Sequence, residues 1–449
     1  MKLNAFHNIY FVGIGGIGMS ALAKYFHSQN SLVSGYDKTP SSVTKALENL
    51  GIEITYLDQI EAHNFKHLEA QNTLVVYTPA VPSTNTILKY FMSNNFTVLK
   101  RSEVLGMITK DTFCIAIAGT HGKTTTTSIL GHLMHEANQN MTAFLGGISE
   151  NYNSNLIQNG SEATVVEADE FDRSFMTLSP NFACITSMDA DHLDVYGDQE
   201  SLKQSFLDFS KTISSTGKLF VYESLPMDGI TYAVGSNADY AAHNVNLIDS
   251  AYHFDLKTPN SLLHDFIFHL PGLHNLNNAV AALAMALEYG CSEKQLKKGL
   301  ASYRGVKRRF SYKIKEKSFV FIDDYAHHPK EIDAVHQAIT EMHPNHKITA
   351  VFQPHLFSRT QDFADDFARS LSVFDAVLLL DIYPARELPI PGVNASWLLE
   401  KIKAPFKKLV TKTTVLDSIK ALQHPVLVTM GAGDIGTLVE PLSKELLHG

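Results

Sequence analysis

Residues 113–127 read FCIAIAGTHGKTTTT, and the reading of this stretch decides the fold. Phe113–Ala118 carries no polar alternation, as expected of a strand buried on both faces of a parallel sheet. A turn of small residues follows, then Gly122-Lys123-Thr124, then a predicted helix over 125–137. Strand, glycine turn and helix together cradle phosphate. Backbone N–H groups converge at the helix N-terminus, a lysine neutralises β/γ charge, and a threonine hydroxyl can bind Mg²⁺. The generic loop has a glycine five residues before Gly122. Here that position is Ile117, and Gly119 makes a shorter loop, so a structural glycine turn stays open as the alternative.

A second glycine turn stands near the start. Residues 11–20 read FVGIGGIGMS after the apolar pair Ile9-Tyr10. Gly13, Gly15 and Gly18 fit GxGxxG, with Gly16 as an extra glycine. Asp37 follows a predicted returning strand over 32–36, about where a dinucleotide fold places its ribose acid. Taken alone, this stretch fits a nicotinamide-dependent oxidoreductase or another nucleotide binder.

Between and beyond these turns, strand-like runs alternate with helix-length spans, which predicts parallel sheets covered by helices. LVVY (74–77), ATVVE (163–167) and 182–186 read as strands, and an alanine-rich helix is predicted over 275–289, stopped by Gly290. After RGVKRRF (304–310), strands are predicted over 319–323, 348–352, 376–381 and 426–430. Three restarts of the rhythm predict three α/β units with borders near 1–106, 107–311 and 312–449.

The chain has 449 residues, too many for one ordinary core, and its 45% hydrophobic content supplies core material for several. A net charge of −9 argues against a nucleic-acid binder. Cys114, Cys184 and Cys291 match no ligand spacing and sit among apolar neighbours, so buried thiols are expected. The segment MKLNAFHNIYFVG lacks the apolar core of a signal peptide, and no run is long enough to span a bilayer. A cytoplasmic protein with no membrane partner is expected, as a monomer or homodimer.

Further candidates stand at strand ends, the ligand edge of a doubly wound sheet. Glu167 ends ATVVE, within the acidic run VVEADE. MDADHLD (188–194) offers His192 among acids. With Thr124 and Glu167, His192 makes an oxygen-rich Mg²⁺ set with one histidine. In HNLNN (274–278), Asn275 and Asn278 are three apart and share a helix face, although an N-cap accounts for one of them. Lys307-Arg308-Arg309 forms a basic cluster suited to phosphate or to a solvated face. FIDDYAHHP (321–329) puts Asp324, Tyr325 and His327 after a strand, and FQPHLFSRT (352–360) does the same with His355 and Arg359.

Taken together, GTHGKTT, EADE, DADHLD, HNLNN, the RRF end and DDYAHHP resemble the motifs of the Mur ligases, in family order across nearly the whole chain. These are ATP-dependent enzymes that build the peptide stem of bacterial peptidoglycan. GIGGIGMS, the HHP after DDY and FQPH…RT resemble the alanine-adding branch most. The resemblance implies an α/β protein of three domains: a Rossmann-like N-terminal domain binding a UDP-sugar, a central P-loop ATPase-type domain, and a C-terminal Rossmann-like domain binding the amino acid. It implies ATP and Mg²⁺ as cofactors, with UDP-N-acetylmuramate and L-alanine joined through an acyl phosphate.

Residue by residue, the resemblance puts Gly119, Thr120, Gly122, Lys123, Thr124 and Thr125 around the ATP phosphates, with Lys123 on the γ-phosphate. Thr124, Glu167 and His192 would hold Mg²⁺, and His121 would face the acyl phosphate. Asn275 and Asn278 would meet the adenine side, Arg308 and His327 a phosphate, and Asp324 the ribose. Gly13, Gly15, Gly16, Gly18 and Asp37 would take the UDP-sugar, and Tyr325, His355 and Arg359 the amino acid. The chain departs from relatives at Leu356, where a second arginine is common, and at Phe206, where other branches carry a carbamylated lysine. The competing readings are a recycling ligase that adds a murein tripeptide, a nicotinamide oxidoreductase, and a non-catalytic nucleotide-binding module.

Overall fold

A computed structural model describes residues 3–447 except 64, 66, 67, 190–195, 197 and 386. The described strands form three sheets. The first holds β1 (Asn8–Val12), β2 (Leu32–Tyr36), β3 (Glu53–Thr55), β4 (Thr73–Tyr77) and β5 (Thr97–Lys100) in the order β3-β2-β1-β4-β5, all parallel. This is a Rossmann-like arrangement in which the order of strands reverses at β1, at whose C-terminal end the first glycine turn begins.

The second sheet has ten strands: β6 (Phe113–Ala118), β7 (Met141–Ser149), β8 (Ser154–Gln158), β9 (Ala163–Glu167), β10 (Phe182–Ile185), β11 (Lys218–Tyr222), β12 (Ile230–Val234), β13 (Tyr240–Ile248), β14 (Ala251–Lys257) and β15 (Leu262–Phe268). Their order is β15-β14-β13-β12-β11-β10-β6-β9-β7-β8. β6 lies between β10 and β9 and is parallel to both. Buried on both faces, it can be apolar throughout, and its residues from Cys114 to Ala118 are sealed from solvent.

The third sheet holds β16 (Ser311–Lys315), β17 (Val320–Asp324), β18 (Ile348–Phe352), β19 (Ala376–Leu379), β20 (Phe406–Leu409) and β21 (Val426–Met430), in the order β16-β17-β21-β18-β19-β20. β17, β21, β18, β19 and β20 are parallel neighbours, and β16 closes one edge antiparallel to β17.

The chain divides into two compact units. One comprises Met1–Asn246, His253–Ile267 and Asn277–Arg304; the other comprises Leu247–Tyr252, Phe268–Leu276 and Gly305–Gly449. Within the first unit, the helix Ile17–Ser28 after the glycine turn docks on β8. Asn155, fully buried, donates to Ile17 O at 2.6 Å and Ser20 Oγ at 2.8 Å, and accepts from Lys24 Nζ at 2.8 Å. A buried carboxamide with every group engaged fixes one docking register. The three cysteines are buried free thiols. Among the described residues, no helix is long and apolar enough to cross a membrane.

Candidate active site

β6 runs into the phosphate-type loop, and the helix after it begins at Lys123, two residues before the sequence pattern predicts it. Gly122 is its N-cap, in the left-handed conformation at φ 82°. A side chain there is doubly disfavoured: the backbone prefers glycine, and a Cβ would lie 2.6 Å from Asn278 Oδ1. Asn278 therefore packs directly against the loop. The loop is braced from the end of β10, where Thr120 Oγ1 pairs with Ser187 Oγ at 2.9 Å. The His121 N–H donates to the same Ser187 Oγ at 2.8 Å. The His121 ring stands 3.7 Å from Asp189. Thr125, the third helical residue, is buried.

Glu167 ends β9, whose register sets it opposite Ile117 of β6. The neighbouring strand thus delivers a carboxylate to the head of the loop. Thr124 Oγ1 donates to Glu167 Oε2 at 3.1 Å, and the Gly146 N–H donates to Oε1 at 2.5 Å. Three residues on, Glu170 is sealed from solvent and ion-paired with Lys123, whose Nζ lies 2.9 Å from Oε1 and 2.8 Å from Oε2. Burial opposes the charge on Lys123. Glu170 and Asp169 more than offset it and hold its pKa above the ordinary lysine value.

Lys123, Thr124 and Glu167 are thus brought together. His192, proposed as a further ligand, lies outside the described residues. Among those described, no three His, Cys, Asp or Glu side chains form a metal-holding group. Thr124 and Glu167 still present hard oxygen donors at one point, the donor type that Mg²⁺ prefers.

Lys123 and Glu167 also line a cleft of about 290 Å³ together with Gly18, Arg101, Phe144 and Asp169. Gly18 comes from the first turn of the helix that follows the first glycine turn and Arg101 from the start of the helix after β5, so the cleft opens between the first two sheets. Arg101 Nη2 lies 3.9 Å from Asp169 Oδ2. In the turn itself, the Gly15 N–H donates to Asp37 Oδ2 at 2.7 Å, and a Cβ on Gly15 would stand 2.8 Å from that oxygen. Asp37 Oδ1 accepts from the Thr39 N–H at 3.1 Å. The acid therefore tethers the turn to the end of β2, with Gly13 and Gly16 beside it in the same loop.

The helix carrying HNLNN spans Leu273–Tyr289, so both asparagines lie inside it. The N-cap reading of one of the two gives way: both follow the helix start, and Asn275 Nδ2 donates to Pro271 O at 2.6 Å. The turn before it is pinned by Tyr252, which accepts from Gly272 N at 3.0 Å and donates to Glu341 at 2.8 Å.

In the third sheet, Asp324 ends β17 buried, accepting from the Phe310 N–H at 2.6 Å and the Ala326 N–H at 2.7 Å. Burial pushes its pKa up to about 6, although Arg309 opposes this. Arg308 donates to Gly431 O at 2.6 Å, lies 3.4 Å from Asp323 and stacks over the Tyr325 ring. His327 Nδ1 lies 2.9 Å from Tyr325 O and 3.2 Å from Glu331. Its ring is edge-on to Tyr325 and to His355. His355 in turn stacks on Tyr383, at 5.8 Å between ring centres. Arg359 is buried in the short helix Phe357–Asp362, which opens from Leu356 at φ 69°. Tyr325, His327 and His355 therefore form one ring cluster at the sheet's C-terminal edge.

Glu170, Arg101, Ser187 and Tyr383 escaped the sequence reading. The acidic run VVEADE was a signal for Glu170; Arg101 and Tyr383 have none. Phe206 is sealed in the core against Phe175, and Lys203 pairs with Glu200 at 2.7 Å.

The chain matches three family models: Mur ligase family, catalytic domain, over 8–112; Mur ligase middle domain over 117–286; and Mur ligase, glutamate ligase domain, over 308–436. It is 57% identical to the UDP-N-acetylmuramate–L-alanine ligase of Flavobacterium psychrophilum, over 99% of both chains. The protein of that name from Christiangramia forsetii is 56% identical, again over 99% of both. The solved UDP-N-acetylmuramate-alanine ligase of Thermotoga maritima superposes with a TM-score of 0.81 at 27% identity, covering 98% of this chain and 99% of that one. With all three of its α/β regions matched in order, the chain belongs to the Mur ligase family.

Proposed function

We infer that the chain is an ATP-dependent ligase that joins L-alanine to the lactyl carboxylate of UDP-N-acetylmuramate, a step in making peptidoglycan precursors. The observation that carries this is the meeting of Lys123, Thr124 and Glu167 at the head of one loop, with Lys123 and Glu167 lining a cleft shared with Gly18 and Arg101. A nicotinamide enzyme would use the first glycine turn and leave this second site without a task. The relatives from Flavobacterium psychrophilum and Christiangramia forsetii, each more than half identical to this chain, are named for alanine, which favours it over a tripeptide as the incoming amine.

A carboxylate is a poor electrophile at neutral pH, so it must first be activated. Its oxygen attacks the γ-phosphorus of ATP, ADP departs, and an acyl phosphate forms. The amine of L-alanine then attacks the acyl carbon, and phosphate leaves from the tetrahedral intermediate. Catalysis of such steps is mostly positioning and charge neutralisation. The loop N–H groups and the helix N-terminus hold the phosphates, and Lys123 offsets their charge. Thr124 and Glu167, joined by His192, would hold Mg²⁺, which when bound neutralises the triphosphate. Arg101 sets a cation in the cleft, where the acidic sugar nucleotide would lie. Asp37 keeps the first glycine turn shaped for the diphosphate.

In the third sheet, Arg359 would pair with the alanine carboxylate, with Tyr325 and His355 walling its pocket. Asn275 and Asn278 would meet the nucleotide on the side away from Lys123, with Arg308, His327 and Asp324 completing its contacts.

The test is phosphate release from ATP with Mg²⁺, UDP-N-acetylmuramate and a panel of amines: L-alanine, glycine, L-serine and the murein tripeptide. Turnover is expected with L-alanine. Turnover with the tripeptide alone would replace this reading by the recycling ligase.

A further inference from the structure

Lys123 points into a buried carboxylate instead of open solvent. Its Nζ has three N–H donors. Three acceptors surround it: Gly119 O at 2.5 Å, Glu170 Oε1 at 2.9 Å and Glu170 Oε2 at 2.8 Å. Glu170 has no solvent-accessible surface, and the segment bearing it is held by the Tyr196 hydroxyl, which donates to Glu170 O at 2.5 Å. The backbone that carries the carboxylate is therefore held, and the carboxylate itself lies out of contact with water.

We propose that Glu170 is a built-in substitute for nucleotide phosphate: it occupies Lys123 in the resting enzyme, and nucleotide binding exchanges one anion for the other on that ammonium. The proposal rests on residues 118–127 being the nucleotide phosphate site. Nζ already donates to Gly119 O and to Glu170 Oε1 and is ion-paired with the whole carboxylate, so an arriving β- or γ-phosphate competes with these contacts for the ammonium. The fixed charge of Glu170 opposes the incoming phosphate over the same few ångströms. Both effects lower nucleotide affinity below that of a loop with a free lysine. They also speed the departure of ADP, because Glu170 recaptures Lys123 as the phosphates withdraw. An enzyme that must shed ADP in every cycle gains turnover from such a competitor.

The same geometry gives Glu170→Gln a distinctive signature. The amide keeps size and one acceptor but removes the charge. The nucleotide-free protein loses a buried ion pair and its melting temperature falls. Nucleotide that supplies the missing anion restores it. A purely structural glutamate would lower stability without tightening the binding of any ligand.

The experiment is calorimetric titration of the full-length protein with ADP and with AMP, for wild type, Glu170→Gln, Glu170→Asp and Lys123→Ala. ADP-induced melting shifts and stopped-flow ADP release are measured alongside. Glu170→Gln is expected to bind ADP about tenfold more tightly, release it more slowly and show a larger ADP-induced melting shift. AMP affinity should stay unchanged. Glu170→Asp, which keeps the charge but withdraws it by one methylene, should tighten ADP binding to a smaller extent. It carries the test if the glutamine variant does not fold. ADP affinity equal to or weaker than wild type in the folded variants overturns the proposal. Lys123→Ala separates the two layers: if it binds ADP as wild type does, the phosphate-site reading itself fails. Weakened ADP binding there, with unaltered binding in the Glu170 variants, sinks only the exchange.

Discussion

Thr124 Oγ1 and Glu167 Oε2 meet at 3.1 Å across the junction of the phosphate-loop helix and β9. The Gly146 N–H fixes the far oxygen of the same carboxylate. Two hard oxygen donors, one from the first turn of the helix and one from the end of β9, are thereby set at a single point, and the divalent cation of the proposed reaction depends on them.

Glu167→Gln keeps the shape and removes the anion. Phosphate release at saturating ATP and Mg²⁺ should fall at least about a hundredfold, while UDP-N-acetylmuramate still binds in a calorimetric titration. A rate within a few-fold of wild type would remove Glu167 from the cation site.

Asp37 acts on the first glycine turn through the Gly15 N–H. Losing a charge-assisted hydrogen bond to the backbone should loosen the diphosphate cradle. For Asp37→Ala, the KM for UDP-N-acetylmuramate is expected to rise about tenfold, with the KM for ATP little changed. Equal increases for both substrates would point to general unfolding instead.

Arg359 is buried near the head of its helix. Arg359→Ala should raise the KM for L-alanine at least about tenfold and leave the KM for ATP near its original value. Lysine at this position cannot reproduce a two-pronged contact with a carboxylate, so Arg359→Lys should be only partly active. An unaltered alanine KM in both variants would relocate the carboxylate contact.

His132, on the phosphate-loop helix, is held neutral. Tyr152 OH lies 2.7 Å from Nδ1, and Gly299 O and Ser302 Oγ each lie 3.0 Å from Nε2. Burial lowers its pKa to about 4, against a partial opposing effect of Glu136. Between pH 6.5 and about 4 the unfolded chain takes up a proton that the folded chain refuses. Stability from this group is therefore complete above pH 6.5 and is lost as pH falls towards 4, by up to about 3 kcal/mol. Asp324, whose pKa is raised, contributes the opposite slope, so the comparison must be with a His132→Gln variant. Thermal melts across this range should show a shallower acid loss in the variant. Parallel curves would rule the effect out.

Much of the site could be read along the chain because its parts are local. A strand needs an apolar run, a phosphate loop needs a glycine before a lysine, and an acid at a strand end sits on the ligand edge by construction. Element ends were less legible. The helix after Gly122 starts two residues early because a left-handed glycine, and not the apolar pattern, sets its first turn. The helix of HNLNN also starts two residues early, at Leu273, which puts both asparagines inside it and makes Asn275 a donor to Pro271 O.

The sequence by itself determined the three α/β regions, both glycine turns and the residues Lys123, Thr124 and Glu167, since each is fixed by a pattern within one or two elements. Only the tertiary structure decided which of them touch. Glu170 reaches Lys123, Asn278 packs on Gly122 and Ser187 braces His121 because β9 and β10 flank β6. The order of strands in a sheet is set by packing among distant segments, and no short stretch of chain encodes it.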